Sequence, residues 1–492
     1  MKRPFYLTTL LVMSLLLIPF ATLEAQLERE ELKLSVDEAV RMALAKNLTI
    51  IVERFNPPIL TTEIGVEQAA FDPVLLSEGR FNTQRLPTAT ALAGAAVAAQ
   101  ENRTLNFGLR QRFLTGGRYE ITFNNNRQET NSRFVSPRAN YASDLTLTLT
   151  QPLLRNFGLD FNRSRIRIAR LNRDISEERL REVVTRTVAQ VQTSYWDLVL
   201  ARESVEVAKR SLELARDLLR RNKIMIEAGV LAPVEIFQAE AEVASREAEL
   251  IAAESAVRNA EDSLKQLLNL EGDIAIIPTD RPTITVREVS FEETLREALE
   301  RRPEIRQAKT QTVSKEISLK AVRNQLRPSL DLTAFFGLNG LGGELERDVD
   351  VLVSGDRYHA GVGVVLEIPI GNRAARQRFR RSQLELEQSV ATLRELESRV
   401  TLEVRLAVRN LLTGLKRIEA TKAARVAAEK ALEAEEKKFR VGLTTSFNIL
   451  RFQRDLTAAQ NLEMQALIEY SKSLVELERV KGTLLQSNNI TF

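Results

Sequence analysis

The stretch AGVLAPVEIFQAE, residues 228–240, decides the fold, because its Gly229 and Pro233 interrupt a very long charged helical pattern with a tight turn. The chain does the same thing again in VGLTTSFNILRFQ, residues 441–453. Each turn therefore sits at the tip of a helical hairpin. No proline interrupts the pattern from 162 to 227. At a rise of about 1.5 Å per residue that is a rod of about 100 Å. Residues 373–440 form the equivalent rod, and the return legs 234–270 and 447–485 are about half as long. A further helical stretch at 291–325 is expected to stack on the first return leg. The N-terminal helix from about Val36 is expected to continue the second.

Self-similarity along the chain extends beyond the two turns. LSVDEAVRMALAKN at 34–47 is echoed by VSFEETLREALERR at 289–302, at an offset of 255. Pro73 matches Pro328 at the same offset, Pro152 matches Pro369 at 217, and Gly229 matches Gly442 at 213. This pattern predicts two tandem structural repeats. The first carries 38 extra residues, since 79 separate its two prolines and 41 separate those of the second.

Between each pair of prolines the hydrophobic period changes from near 3.6 to 2. ASDLTLTLT alternates Leu145, Leu147 and Leu149 with Thr146, Thr148 and Thr150; RYEITF, LNFGLR, SLDLTAFF and GVGVVLEI behave alike. Strands of about 9 to 11 residues match a tilted membrane-spanning strand. Open sheet edges are not tolerated in lipid. Two strands per half make four, or six if the hairpin at 103–126 joins, and a useful barrel needs about eight. Closure then demands several copies of the chain. The Gly- and Ala-rich segments 87–100 and 337–356 read as loops on the extracellular side.

The helices carry narrow seams with steps of 3 and 4, as coiled coils do. Examples are Val205, Ala208, Leu212, Ala215 and Leu219; Ala420, Ala424, Ala427, Ala431 and Ala434; and Ala241, Ala244, Ala248 and Ile251. Their other faces are charged, as suits a thin wall of helices around a wet lumen.

Composition closes off other function classes. Lys2 and Arg3 precede an apolar run ending near Ala25, the pattern of a secretory signal peptide. The mature chain keeps a formal charge of +3, too small over this length to argue for nucleic acid. With no cysteine and one histidine, His359, Cys/His zinc chemistry is excluded and stability must come from packing or assembly. No nucleophile elbow or phosphate-cradling glycine loop is present, so no catalytic residues, metal or cofactors are assigned. Tyr195 and Trp196 read as packing residues.

The opening LSVDEAVRMALAKN, QPLLRNFG at the strand-to-helix junction, the tandem halves and the two glycine turns together resemble the TolC-like outer membrane efflux protein family (outer membrane factors). The resemblance implies a mainly α protein with membrane β, a long α-helical barrel of coiled-coil hairpins continuous with a trimeric transmembrane β-barrel. Four strands per chain are implied. It further implies a homotrimer in the outer membrane lipid, an exit duct for drugs or secreted proteins, docked to a periplasmic adaptor and an inner-membrane pump. Carried onto this chain, the docking turns are Gly229, Val230, Leu231 and Ala232, with Gly442, Leu443, Thr444 and Thr445. The periplasmic constriction falls to Glu235, Gln238, Asn448 and Arg451. Related chains carry acidic residues just after the second turn, where this one has Asn448 and Arg451. Glu235 and Arg451 are expected to pair across neighbouring helices. Thr445 and Ser446 are expected to cap the returning helix. The competing reading is a surface-exposed structural or adhesive coiled coil.

This reading divides the chain into a signal peptide (1–25), an N-terminal helix and equatorial segment (26–72), and strands with extracellular loops (73–155). A helical hairpin (156–270) completes the first half. The second has its equatorial segment and helix (271–327), strands and loop (328–371), hairpin (372–485) and tail (486–492).

Overall fold

The computed structural model describes residues 30–87 and 97–490. The expected signal peptide, the middle of the first expected loop and the last two residues lie outside the described residues. In chain order, β1 (Glu31–Leu34) leads to α1 (Val36–Lys46), α2 (Leu48–Arg54) and α3 (Asn56–Gln68). Four strands follow, β2 (Val74–Pro87), β3 (Val97–Arg112), β4 (Arg118–Thr130) and β5 (Ala139–Pro152). The one-turn α4 (Leu159–Asn162) precedes the first hairpin, α5 (Ser164–Glu227) and α6 (Val234–Leu268). Then come β6 (Ala275–Pro278), α7 (Phe291–Arg301), α8 (Pro303–Asn324), β7 (Ser329–Gly342), α9 (Leu345–Ser354) and β8 (Tyr358–Glu367). The second hairpin, α10 (Arg373–Arg440) and α11 (Ser446–Lys481), ends in the short α12 (Leu484–Ser487).

Among the described residues the long strands form one antiparallel sheet in the order β2-β3-β4-β5-β7-β8. The extra hairpin lies inside it, between β2 and β5, so this chain contributes six strands where the resemblance implied four. Register sorts the two faces. Leu109, Ile121, Leu147 and Phe336 stand opposite one another across four strands, as do Phe107, Phe123, Leu145 and Leu338. This apolar face is open, with Ile121 37%, Leu147 39% and Phe336 51% exposed. The other face carries Arg118, Thr122, Thr146, Thr150 and Thr333. His359 lies there too, 3.1 Å from both the Thr146 hydroxyl and the Asn339 amide. No helix among the described residues is long and apolar enough to cross a membrane.

Both segments read as loops contain regular structure at their ends or centre. β3 begins at Val97, β7 runs on to Gly342, and α9 occupies much of the second segment. Asp348 holds α9 down: fully buried, it accepts the Ser143 amide at 3.2 Å, the Asn125 amide at 3.3 Å and the Ser143 hydroxyl.

The two long helices match their sequence limits closely. The stacking of the short ones is the reverse of the expectation. α6 ends against the α1–α2 junction, where Asn47 Nδ2 donates to the Leu267 carbonyl at 2.8 Å. α11 ends against the α7–α8 junction, where Lys481 meets Glu297 at 3.1 Å. α3 therefore continues the line of α6, and α8 that of α11. In the tip half the helices neighbour one another in the order α6, α5, α11, α10, and in the sheet half in the order α3, α5, α8, α10.

Seam residues split in two ways. Val205, Leu212 and Ala215 pack as read. On α10 the packed stripe is instead Ala407, Leu411, Ile418, Leu432 and Phe439, which are mostly larger side chains. Ala420, Ala424, Ala427 and Ala434 are exposed, as are Ala241, Ala244, Ala248 and Ile251 on α6. Alanine stripes thus lie open on the two outermost helices of the tip half.

An equatorial latch ties these layers together. β1 pairs in parallel with β6, bringing the start of the chain onto the α6–α7 connection. The fully buried Tyr195 inserts beneath it. Its hydroxyl lies 3.0 Å from the Leu34 carbonyl and 2.9 Å from Asp280 Oδ2, and accepts the Thr279 and Asp280 amides at 3.1 Å. Burial pushes this phenol up to about 12. Tyr195→Phe strands the Asp280 amide, while the Thr279 amide keeps the Leu34 carbonyl at 3.0 Å, and is expected to cost about 1–3 kcal/mol, read as a lowered melting temperature.

Candidate functional site at the hairpin tips

Both tips close by the same backbone device. At the first, Gly229 (φ 72°) donates to the Ile226 carbonyl at 2.9 Å, and Val230 to that of Met225 at 2.9 Å. At the second, Gly442 (φ 77°) donates to Phe439 at 3.0 Å, and Leu443 to Lys438 at 3.0 Å. This is the Schellman pattern, in which a left-handed glycine satisfies the last helical carbonyls. The motif usually folds the following apolar side chain onto the helix. Here Val230 and Leu443 are 70% and 78% exposed, and Val234, Phe237, Val441 and Phe447 are open too. The glycine turns therefore present an apolar surface with no partner among the described residues. Thr444 is half-buried, while Ala232 and Thr445 are exposed and Leu231 is half-buried.

The residues assigned to the constriction are only partly brought together. The Ser446 hydroxyl donates to Glu235 Oε2, linking the second turn to α6. Thr445 holds the cap position of α11 without a side-chain cap bond. Asn448 Nδ2 donates to Thr444 Oγ1 at 3.0 Å, and Thr444 donates to Glu435 Oε1 at 2.5 Å. Hydrogen bonds from Thr444 and Lys438 hold the Glu435 carboxyl below the usual range. Arg451 does not meet Glu235 within the chain; its guanidinium lies 5.2 Å from the Phe452 ring. Gln238 is exposed.

The strongest link between hairpins lies farther from the tip and escaped the sequence. Arg454 of α11 places Nε 3.0 and 3.1 Å from the two oxygens of Glu242 on α6, and its Nη2 also bonds there. Arg246, one turn along α6, donates from Nε to Glu242 at 2.9 Å and from Nη1 to Glu249 at 2.7 Å. Glu242 and Arg246 are both buried. Burial opposes ionisation of Glu242, but the Arg454 hydrogen bond and the charges of Arg246 and Arg454 hold its carboxyl below the usual range. Arg454 stands one helical turn beyond Arg451, the only hint available in advance. Beside this cluster Leu218, Phe439, Ile449 and Leu450 form a small core. Asn222, one turn from Leu218 on α5, is fully buried, and neither its Oδ1 nor its Nδ2 has a hydrogen-bond partner.

Comparison with known proteins agrees with this architecture. A family model, Outer membrane efflux protein, matches residues 39–270 and 294–483. The chain is 24% identical over 310 residues to outer membrane protein TolC of Vibrio cholerae, covering 61% of this chain and 68% of that one. It is 25% identical over 342 residues to outer membrane efflux protein BepC of Brucella suis, covering 68% and 71% respectively. Its fold is similar to that of the outer-membrane channel OprN, with a TM-score of 0.68 and 17% identity over 91% of this chain and 90% of that one.

Because the folded pKa of Glu242 is depressed, its ion cluster stabilises the tip in full above the unfolded carboxylate value of about 4.3. That contribution is lost as pH falls through the folded value. Spin labels on cysteines at Leu231 and Leu443 of this cysteine-free chain are expected to report one narrow distance near neutral pH and a broadened one in acid. Glu242→Ala leaves the buried Arg246 with Glu249 alone and is expected to broaden the distance already at pH 7, at a cost of about 3 kcal/mol.

Proposed function

The chain belongs to the outer membrane efflux protein family, and on that premise we propose that it is the passive outer-membrane exit duct of a tripartite efflux or type I secretion system. It is a protein of the outer membrane that extends into the periplasm. In this reading it works as a homotrimer docked to a periplasmic adaptor and an inner-membrane pump.

One observation carries the reading: the chain is unfinished along two edges that complement each other. β2 and β8 are the free edges of the sheet, and six strands alone make no open barrel. β2 follows α3, and β8 precedes α10, so each strand edge continues into an outer helix. A head-to-tail neighbour brings β8 against the next β2 in antiparallel sense. It also sets the alanine stripe of α10 near that of α6, where small side chains allow close helix approach. Three copies of six strands make a barrel of about 18, within the range of outer-membrane barrels. The two halves of each chain are read as tandem copies of one unit, which gives a trimer six hairpin tips around one mouth.

At that mouth the turns Gly229 to Ala232 and Gly442 to Thr445 supply the adaptor surface. Their left-handed glycines and exposed Val230 and Leu443 support this role. Glu235, Gln238, Asn448 and Arg451 supply the constriction, with Arg451 free to reach Glu235 of a neighbouring chain.

The duct is expected to extract with outer membranes as a heat-modifiable oligomer. Ala244→Arg on α6 or Ala427→Arg on α10 should shift it toward monomer, and recovery of a soluble periplasmic monomer from the parent sinks the reading. In planar bilayers the parent should conduct, unlike an adhesin. Glu235→Ala and Arg451→Ala should each raise single-channel conductance, and parental conductance in both places the gate elsewhere.

A further inference from the structure

The inserted β3–β4 hairpin does more than widen the sheet. Its periplasmic turn, 113–117, projects where the sheet meets the helices, and Gln111 Nε2 ties it there by donating to the Phe71 carbonyl at 3.0 Å. Arg112 and Arg118 flank this turn as direct cross-strand partners on the polar face, the face that carries Thr150 and Thr333. Like charges opposed across a strand pair are destabilising. A second such pair, Arg103 and Arg127, is relieved by carboxylates: Glu101 lies 3.6 Å from Arg103 and Glu129 lies 3.2 Å from Arg127. Arg112 and Arg118 have no such relief, because among the described residues neither has a carboxylate within ion-pair distance.

Both line a cavity of about 640 Å³ at the neck between sheet and helices, and Arg165 in the first turn of α5 lines it as well, also without an ion pair. Two carboxylates, Glu67 and Asp331, border the same space; Asp331 accepts the Ser329 hydroxyl at 3.0 Å. Its wall is held by side-chain bonds to the backbone and between amides: Asn324 Oδ1 accepts the Asn156 amide at 2.7 Å, and Gln325 Nε2 donates to Asn156 Oδ1 at 2.7 Å. Three exposed guanidinium groups, none with an ion pair among the described residues, thus border one polar space.

We infer that this neck cavity binds anionic groups of the transported cargo, with Arg112, Arg118 and Arg165 as its ligating side chains. Guanidinium forks suit carboxylate, sulfonate and phosphate groups, and a site that keeps its forks unpaired loses nothing internal when an anion arrives. The site rests on the duct reading, in which the polar face of the sheet lines the lumen. It marks the cargo as organic anions drawn to the neck from the helical tunnel.

The probe is 1,3,6,8-pyrenetetrasulfonate, followed by fluorescence anisotropy on the purified full chain in detergent and by block of single-channel current. Saturable, salt-sensitive binding is expected, weakened by about tenfold or more in Arg112→Gln/Arg118→Gln and in Arg165→Gln. The Lys/Lys variant at 112 and 118 should retain most of it. The Gln/Gln variant should melt no lower than the parent, because it removes a repulsive pair. Parental affinity in the Gln variants overturns the site, and a lower melting temperature with binding intact assigns the arginines a structural role instead. A parent that conducts and binds no probe also overturns the site while sparing the duct; a parent that does not conduct overturns the duct.

Discussion

Everything in this structure answers to one constraint: a backbone amide or carbonyl left unpaired in hydrocarbon costs several kcal/mol. The sheet of this chain ends in two strands, β2 and β8, whose outer edges have no partner. The apolar face of that sheet is open, with Ile121, Leu147 and Phe336 exposed. In lipid such a sheet has to be completed by further strands of the same kind, and this chain supplies matching edges at opposite ends of its order. The helices inherit the same requirement, because each edge strand runs directly into an outermost helix. In the proposed assembly a single head-to-tail contact is repeated, carried by backbone pairing at one end and by alanine stripes at the other.

Much of this was legible in the sequence, for reasons that lie in punctuation. Proline and left-handed glycine interrupt helices, so the limits of α10 and the start of α6 could be read from Pro233, Gly371 and Gly442. The change of period between prolines located the cores of β3, β4, β5, β7 and β8 and missed that of β2. What failed depends on tertiary context. Which short helix stacks on which is settled by joints such as Asn47 with Leu267 and Lys481 with Glu297, and no local pattern encodes a joint. The alanine stripes obey coiled-coil spacing equally well inside a chain or between chains. Helix α9 was hidden because its glycine-rich flanks look like loop, while its anchor is a buried Asp348 that periodicity counts as polar.

The tips divide in the same way. Their glycines were evident, because left-handed geometry singles them out at the ends of helices. The charged residues were not, since a helix surface crowded with Arg and Glu offers many partners and only distance selects among them. Glu235 went to Ser446 and Arg451 to the face of Phe452, whereas the link between hairpins fell to Glu242 and Arg454.

The two ends of the hairpins hold their polar groups in different ways. At the equator Tyr195 accepts two amides at once, and the buried Arg302 reaches Glu304 at 3.0 Å and Glu403 at 2.7 Å. Near the tip Asn222 is buried with its amide unmatched, a loss of about 1–3 kcal/mol that the small core of Leu218, Phe439, Ile449 and Leu450 has to offset. An opening that lets water reach Asn222 recovers that loss. That recovery lowers the cost of separating the tips, with the Glu242–Arg454 cluster as the principal bond resisting it.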